Sequence, residues 1–263
     1  MTKPYLLAID VGNTNTVFAL YHDRAQQAQW RVSTVRNRTA DEYAAALTQL
    51  MALKGFAHLD VHAAVISSVV PEATNPLKGM CRDFFGCAVK VVGENLGVTI
   101  GVAIDNPREA GTDRLCNAVA AHKLYGGPLI VVDFGTATNF DVVDDEGRYC
   151  GGAIAAGIGL SLEALHQAAA KLPRIAVERP PAVIGRSTLT AMQSGVYWGY
   201  VGMIEGMVAR IKEEFGAPMK VIATGGLAPL FAGASDAIER VDQDLTITGL
   251  VELFHADRPA PSN

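Results

Sequence analysis

Short apolar runs bounded by turn-forming residues recur along the chain at 5–9, 61–68, 87–92, 129–133, 140–143, 151–156 and 221–223. Runs of this length and composition predict buried strands. Between them the apolar spacing changes to that of helices. Tyr43, Ala44, Leu47 and Leu50 lie on one helical face, with Thr39 and Asp41 ahead of them as capping candidates. Leu77, Met80 and Phe84 mark a helix after Pro71, and further helices are predicted over 113–125 and 161–170. A longer one starts at Ser187 or Thr188 and runs through Arg210, with Met192, Val196, Met203, Ile204 and Met207 on its apolar face. Tyr197, Trp198 and Tyr200 widen that face, leaving core packing and a subunit interface both open. The order is alternating α/β.

Two of these stretches read as one motif used twice. The run 5–9 enters Asp10-Val11-Gly12-Asn13-Thr14-Asn15-Thr16, and the run ending at Val132 enters Asp133-Phe134-Gly135-Thr136-Ala137-Thr138-Asn139. Each is a strand ending in Asp, a Gly turn dense in hydroxyl and amide side chains, and a second apolar stretch: a β-hairpin. Such a turn suits a polyphosphate, because Gly lets the backbone approach, N–H and hydroxyl groups donate, and the Asp can hold a cation. A single D-x-G is equally a plain tight turn. Its duplication with Thr-rich continuations favours two turns facing one nucleotide. The expected organisation is therefore two related α/β lobes, 1–114 and 115–257, with a nucleotide cleft between them and a loose polar tail at 258–263.

Composition narrows the partners. The 263 residues are 49% hydrophobic and 19% charged with a net charge of −5, which fits a compact protein without the basic stripe that a nucleic-acid binder needs. No signal-peptide pattern opens the chain and no apolar run reaches membrane-spanning length. Cys81, Cys87, Cys116 and Cys150 have no C-x-x-C pairing, and their apolar surroundings suit reduced thiols. The expectation is a cytoplasmic protein with small-molecule and protein partners, no nucleic acid and no membrane.

A further candidate is Asp113-Arg114 at a predicted helix start. A carboxylate there can take a proton from a hydroxyl while the guanidinium grips an anion; the bland alternative is a helix cap with a surface ion pair. The motifs G-x-x-x-x-G-K-[ST], G-x-G-x-x-G, H-E-x-x-H and G-x-S-x-G are absent. The twin-hairpin arrangement resembles the actin, hexokinase and sugar-kinase superfamily. Within it the chain closely resembles the type III pantothenate kinases along nearly its whole length. The resemblance rests on Asp10-Val11-Gly12-Asn13-Thr14, Ser68-Val69-Val70-Pro71, Asn106-Pro107, Gly111-Thr112-Asp113-Arg114, Asp133-Phe134-Gly135-Thr136-Ala137-Thr138, Gly151-Gly152 before Gly157, Ala191-Met192-Gln193-Ser194-Gly195 and Thr224-Gly225-Gly226-Leu227.

The resemblance implies ATP-dependent phosphorylation of pantothenate, the first step of coenzyme A biosynthesis, on two actin-like (ribonuclease H-like) lobes. It implies that Asp10, Val11, Gly12, Asn13, Thr14, Asn15, Thr16 and Val17 bind ATP phosphates, with Asp10 near Mg²⁺, and that Thr136 contacts ATP. Asp133 matches a ligand of K⁺ or NH₄⁺. Gly111, Thr112, Asp113 and Arg114 match the pantothenate segment, with Asp113 the catalytic base. Thr188 matches a residue that reaches pantothenate across the interface of a homodimer with a shared active site. Three positions depart from the family pattern: Ile104 where Tyr is common, Thr112 for Ala, and Ala156-Gly157 for Pro-Gly. His166, among Leu162, Leu165 and Ala169, reads as a packed residue or a substrate neighbour. A non-catalytic regulatory relative, or a kinase for another small hydroxy acid, are the alternative readings; intact Asp10, Asp113, Arg114 and Asp133 argue against the first.

Overall fold

A computed structural model describes residues 4–168 and 173–257. The tail expected to be loose, 258–263, lies outside the described residues, as do positions 169–170 of the expected helix 161–170. The chain divides into two compact units: Met1–Gly101 with Asn106–Ala120 and Leu245–Asn263, and Val102–Asp105 with Ala121–Asp244.

The first unit is built on the strands β1 (Tyr5–Val11), β2 (Asn15–His22), β3 (Ala25–Ser33), β4 (Val61–Ser68) and β5 (Ala88–Val91), ordered β3-β2-β1-β4-β5. β1 pairs antiparallel with β2 and parallel with β4. Leu7, Ile9 and Val11 point to one face of the sheet, where Tyr43, Leu47 and Met51 of α1 (Ala40–Leu53) and Ala73 and Leu77 of α2 (Pro71–Gly79) cover them. Leu6 and Ala8 point to the other face, covered by Cys116 and Val119 of α3 (Thr112–Tyr125) and by the chain's last helix, Leu245–Ala256. Because both faces are covered, the central strands are continuous apolar runs rather than alternating ones. α1 starts where expected: Thr39 accepts from the Glu42 N–H at 3.3 Å, and Glu42 accepts from the Thr39 N–H at 2.8 Å, a reciprocal cap.

The second unit repeats the plan. Its strands β6 (Leu129–Phe134), β7 (Ala137–Val143), β8 (Tyr149–Ala156), β9 (Lys220–Gly225) and β10 (Arg240–Val241) run in the order β10-β9-β6-β7-β8. Read from β8, that is the order and the strand sense of the first sheet: an antiparallel three-strand meander, then parallel strands on its far side. Ile130, Val132 and Phe134 pack against α4 (Ile158–Ala168), α5 (Thr188–Phe215) and α6 (Ala228–Ala232) through Ile158, Tyr197, Ile204 and Phe231.

Several bounds differ from expectation. α4 begins three residues earlier than 161, and α5 continues past Arg210 to Phe215, where Gly216 ends it in the left-handed conformation at φ 77°. The strand β3, the short α6 and β10, and the last helix, α7 (Leu245–Ala256), were not anticipated. Among the described residues no helix is long and apolar enough to cross a membrane.

Candidate active site

The first hairpin turns tightly. Val11 pairs with Thr16, and the Gly12 N–H donates to the Asn15 carbonyl at 3.0 Å. A Cβ on Gly12 would stand 3.3 Å from that carbonyl, so a larger residue would push the carbonyl back by a few tenths of an ångström and loosen the turn. Asn13, Thr14 and Asn15 are exposed at the tip, while Thr16 and Val17 are buried below it. The polar tip is thus presented to solvent on a base anchored in the sheet.

Asp10 precedes this turn on β1, and its neighbour across the parallel ladder is Ser67 of β4. The Ser67 hydroxyl lies 3.1 Å from that of Thr112, the first residue of α3, and Thr112 also donates to the Ser68 carbonyl at 3.4 Å. Thr112, one of the departures from the family pattern, is therefore a tie between α3 and β4. Asp113 follows it, with its carboxylate folded back over Gly111: a Cβ on Gly111 would lie 2.5 Å from Asp113 Oδ1. The Arg114 N–H donates to the same oxygen at 2.8 Å. Burial lifts the Asp113 carboxyl above its ordinary range, and that N–H and the Arg114 charge pull back only part of the way. One turn further along α3, burial pushes the Cys116 thiol far up, and the carboxylates of Asp10 and Asp113 both add to the shift. The first unit thus brings Asp10, Ser67, Thr112 and Asp113 together around a neutral, buried thiol. A carboxylate with a raised pKa at a helix start is suited to accepting a proton near neutrality.

In the second unit Asp133 sits near the end of β6, between Asn139 of β7 and Thr224 of β9. Gly225 adopts φ 89°, and a Cβ there would stand 2.6 Å from the Phe134 carbonyl and 2.8 Å from Asp133 Oδ1. Gly157 presses on the second hairpin turn from the other side, its ideal Cβ 2.2 Å from the Thr136 carbonyl. These contacts give the Thr224-Gly225 and Ala156-Gly157 motifs a steric reason: only Gly lets the Gly135-Thr136 turn and the Asp133 carboxylate sit so close to neighbouring backbone. The residue before Gly157 contributes its carbonyl, which accepts from the Tyr200 hydroxyl at 3.1 Å, so Ala156 serves as well as another residue would. Tyr200 also bonds the buried Thr138 hydroxyl of β7. Thr136 is exposed at the turn.

Tyr197 and Tyr200 are core residues of their unit, not interface residues, at 1% and 7% exposure. The exposed large apolar side chains of this unit lie elsewhere, on Leu124, Ile154, Leu160, Leu165, Val183, Ile184 and Leu189. Thr188, exposed in the first turn of α5, lines a hollow of about 610 Å³ with Leu165, Ala191, Met192, Gly195 and Val196. Ile104 packs on Gly151, 3.3 Å from its ideal Cβ. His166 is half-buried on α4.

Among the described residues no three His, Cys, Asp or Glu side chains gather as a metal cluster. A single carboxylate such as Asp10 suits Mg²⁺ delivered with a nucleotide, because this ion keeps several waters and takes one or two carboxylates plus phosphate oxygens. Asp133, with its carboxylate above two glycine turns, offers hard oxygen donors in a space that a Cβ would close. The site residues that sequence alone does not single out are Ser67, whose only signal is its register opposite Asp10, Cys116, one helical turn after Asp113, and Thr34, whose hydrogen bonds are with residues at least 18 positions away.

Comparison with known proteins identifies the family. A family model described as type III pantothenate kinase matches residues 6–210. A type III pantothenate kinase of Rhodospirillum rubrum is 58% identical over 255 residues, covering 97% of this chain and 99% of that protein. One of Paramagnetospirillum magneticum is 61% identical over 250 residues, covering 94% and 96%. A solved structure from Sinorhizobium meliloti, assigned as a 2-dehydro-3-deoxygalactonokinase, matches at a TM-score of 0.61 and 15% identity over 98% of this chain and 99% of that one, a likeness of fold alone. The two sheets of shared strand order therefore belong to a fold that this solved structure shares over nearly its whole length. With the family model spanning most of its length and relatives this similar end to end, the chain belongs to the type III pantothenate kinase family.

Proposed function

We propose how the chain's own residues carry out the reaction of its family, ATP-dependent phosphorylation of pantothenate on the route to coenzyme A. The turn from Asp10 to Val17 receives the ATP phosphates, and Thr136 makes a further ATP contact. Asp10 is the carboxylate next to Mg²⁺, and Asp133 holds a monovalent cation, K⁺ or NH₄⁺. When bound, these cations neutralise charge on the phosphates. The segment Gly111, Thr112, Asp113 and Arg114 takes pantothenate: the guanidinium grips its carboxylate, and Asp113 faces its primary hydroxyl. As the hydroxyl oxygen attacks the γ-phosphorus, Asp113 accepts its proton, the bond from phosphorus to the β–γ bridging oxygen breaks, and ADP leaves.

The observation that carries this reading is the Asp113 carboxylate, held over Gly111 and lifted by burial, on the same side of the sheet as Asp10. Thr188 completes the pantothenate site of a neighbouring subunit in a homodimer. Its exposure in the first turn of α5, beside exposed Leu165 and Leu189, supports that role. The enzyme works in the cytoplasm, where reducing conditions suit its four free cysteines. The test is ADP release by purified protein with ATP, Mg²⁺ and K⁺. Release should depend on added pantothenate; release without pantothenate, or none with it, refutes the assignment.

A further inference from the structure

The ATP turn is not held by β1 and β2 alone. Thr34, the first residue after β3, reaches it with three hydrogen bonds. Its hydroxyl donates to the Gly12 carbonyl at 2.7 Å, its N–H donates to the Thr14 carbonyl at 2.9 Å, and its hydroxyl lies 2.9 Å from that of Thr16. The hydrogens can be assigned from these distances. Thr34 has one hydroxyl proton, directed at Gly12, so the proton in the Thr16–Thr34 bond must come from Thr16. A chain of donors then runs from Thr16 through Thr34 to the Gly12 carbonyl.

We propose that Thr34 is a positioning residue that sets the shape of the phosphate-binding turn from outside it. This rests on the reading that residues 10–17 bind the ATP phosphates. The two carbonyls that Thr34 holds, at Gly12 and Thr14, flank Asn13, the residue at the exposed tip. With both turned toward Thr34, the peptide groups of the tip have their orientation fixed before ATP arrives. A turn left free would have to be ordered by the nucleotide, at a cost in affinity. The bond from Thr16 adds a buried anchor, since that side chain has no exposed surface. The bonds of the brace go to Gly12, Thr14 and Thr16, all within the turn read as the phosphate site, so its effect should fall on ATP and spare pantothenate.

The experiment compares Thr34→Val, which keeps shape and N–H but loses the hydroxyl, with Thr34→Ser, which restores the hydroxyl. Thr34→Ala serves as a second deletion that adds no bulk. Losing a positioning hydrogen bond should raise the KM for ATP about five- to tenfold in the Val and Ala variants, while the KM for pantothenate stays at its wild-type value. Thr34→Ser should restore the ATP value. An unchanged KM for ATP in Val and Ala, or a Ser variant as impaired as Val, overturns the proposal. So does a parallel rise in both KM values with a lowered unfolding midpoint, which would mark a purely structural role. Asn13→Ala and Thr14→Ala separate this failure from a failure of the underlying reading. If those two leave the KM for ATP unchanged, the turn is not the phosphate site; if they raise it and Thr34→Val does not, the brace alone is refuted.

Discussion

The Asp113 carboxylate lies where a side chain on Gly111 would be: a Cβ built on Gly111 falls 2.5 Å from Asp113 Oδ1. The clash is with the free end of a side chain, not with backbone, so Gly111→Ala can fold by pushing the carboxylate away. The variant should therefore keep most of its stability and lose turnover, by about 100-fold if the displacement is near 1 Å. Thermal unfolding beside steady-state kinetics tests this; wild-type kcat in a folded Gly111→Ala protein would mean that the carboxylate's position does not matter.

Asp113→Asn removes the proton acceptor while keeping the shape. ATP binding should persist and kcat should fall by about 10²- to 10⁴-fold, the usual share of a general base. The same change should stabilise the fold. Burial raises the Asp113 pKa in the folded state, so above that value the chain carries the full penalty of a buried charge. Wild-type stability at this site is lost as pH rises from the unfolded pKa through the raised folded one, and the penalty disappears as pH falls back through that window. The Asn variant should thus unfold at a higher temperature than wild type near neutrality, with the difference shrinking in acid. The acid limb of wild-type kcat/KM should also lie above the range of an ordinary aspartate. A variant less stable than wild type at neutral pH would contradict the burial argument.

Much of this was legible from order along the chain, because local chemistry decided it. The two D-x-G hairpins, the Thr39 cap and the start of α3 at Gly111-Thr112-Asp113 all involve residues a few positions apart. What was hidden depended on distant partners. β3 carries only Ala28 and Trp30 as buried residues, since it is the edge of its sheet, and its polar remainder gives no continuous apolar run of the kind that marks the central strands. The apolar face of α5 carries no label to say which part meets its own sheet: Tyr197 and Tyr200 pack in the core, while Leu189 in its first turn is exposed. The tie from Thr112 to Ser67 spans 45 positions and leaves no periodic trace.

The second close glycine contact predicts a different outcome. A Cβ on Gly249 of α7 would stand 1.9 Å from the Cys116 carbonyl of α3, a methyl carbon driven into backbone. No side chain can move aside to relieve it. Gly249→Ala must separate the two helices or fail to pack, at about 1–3 kcal/mol in urea unfolding. Because Cys116 lies one turn from Asp113, kcat should fall as well. Unchanged stability would show that the helices can part without strain.

The assignment of Asp133 to a monovalent cation can be read without a structure of the complex. Replacing K⁺ by Na⁺ should lower wild-type activity, because a site of oxygen donors fixed at one size serves the two ions unequally. Asp133→Ala should be slow in both salts and indifferent to which is present. Equal wild-type rates in K⁺ and Na⁺ would remove Asp133 from this role.

The shared site makes the most specific claim. If Thr188 reaches pantothenate held by the neighbouring subunit's Asp113, neither Asp113→Asn nor Thr188→Phe should be active alone. Thr188 is exposed at the start of α5, so Phe should fold there while blocking the contact. In a mixed dimer one site combines both defects, and the other receives the intact Asp113 of one subunit and the intact Thr188 of its partner. Mixing the two inactive proteins under conditions of subunit exchange should therefore restore activity, up to about one quarter of wild type when half the dimers are mixed. Sedimentation should show a dimer for each variant. No recovery despite demonstrated exchange, or full activity in a monomer, would place Thr188 outside the catalytic unit and leave each chain with a complete site of its own.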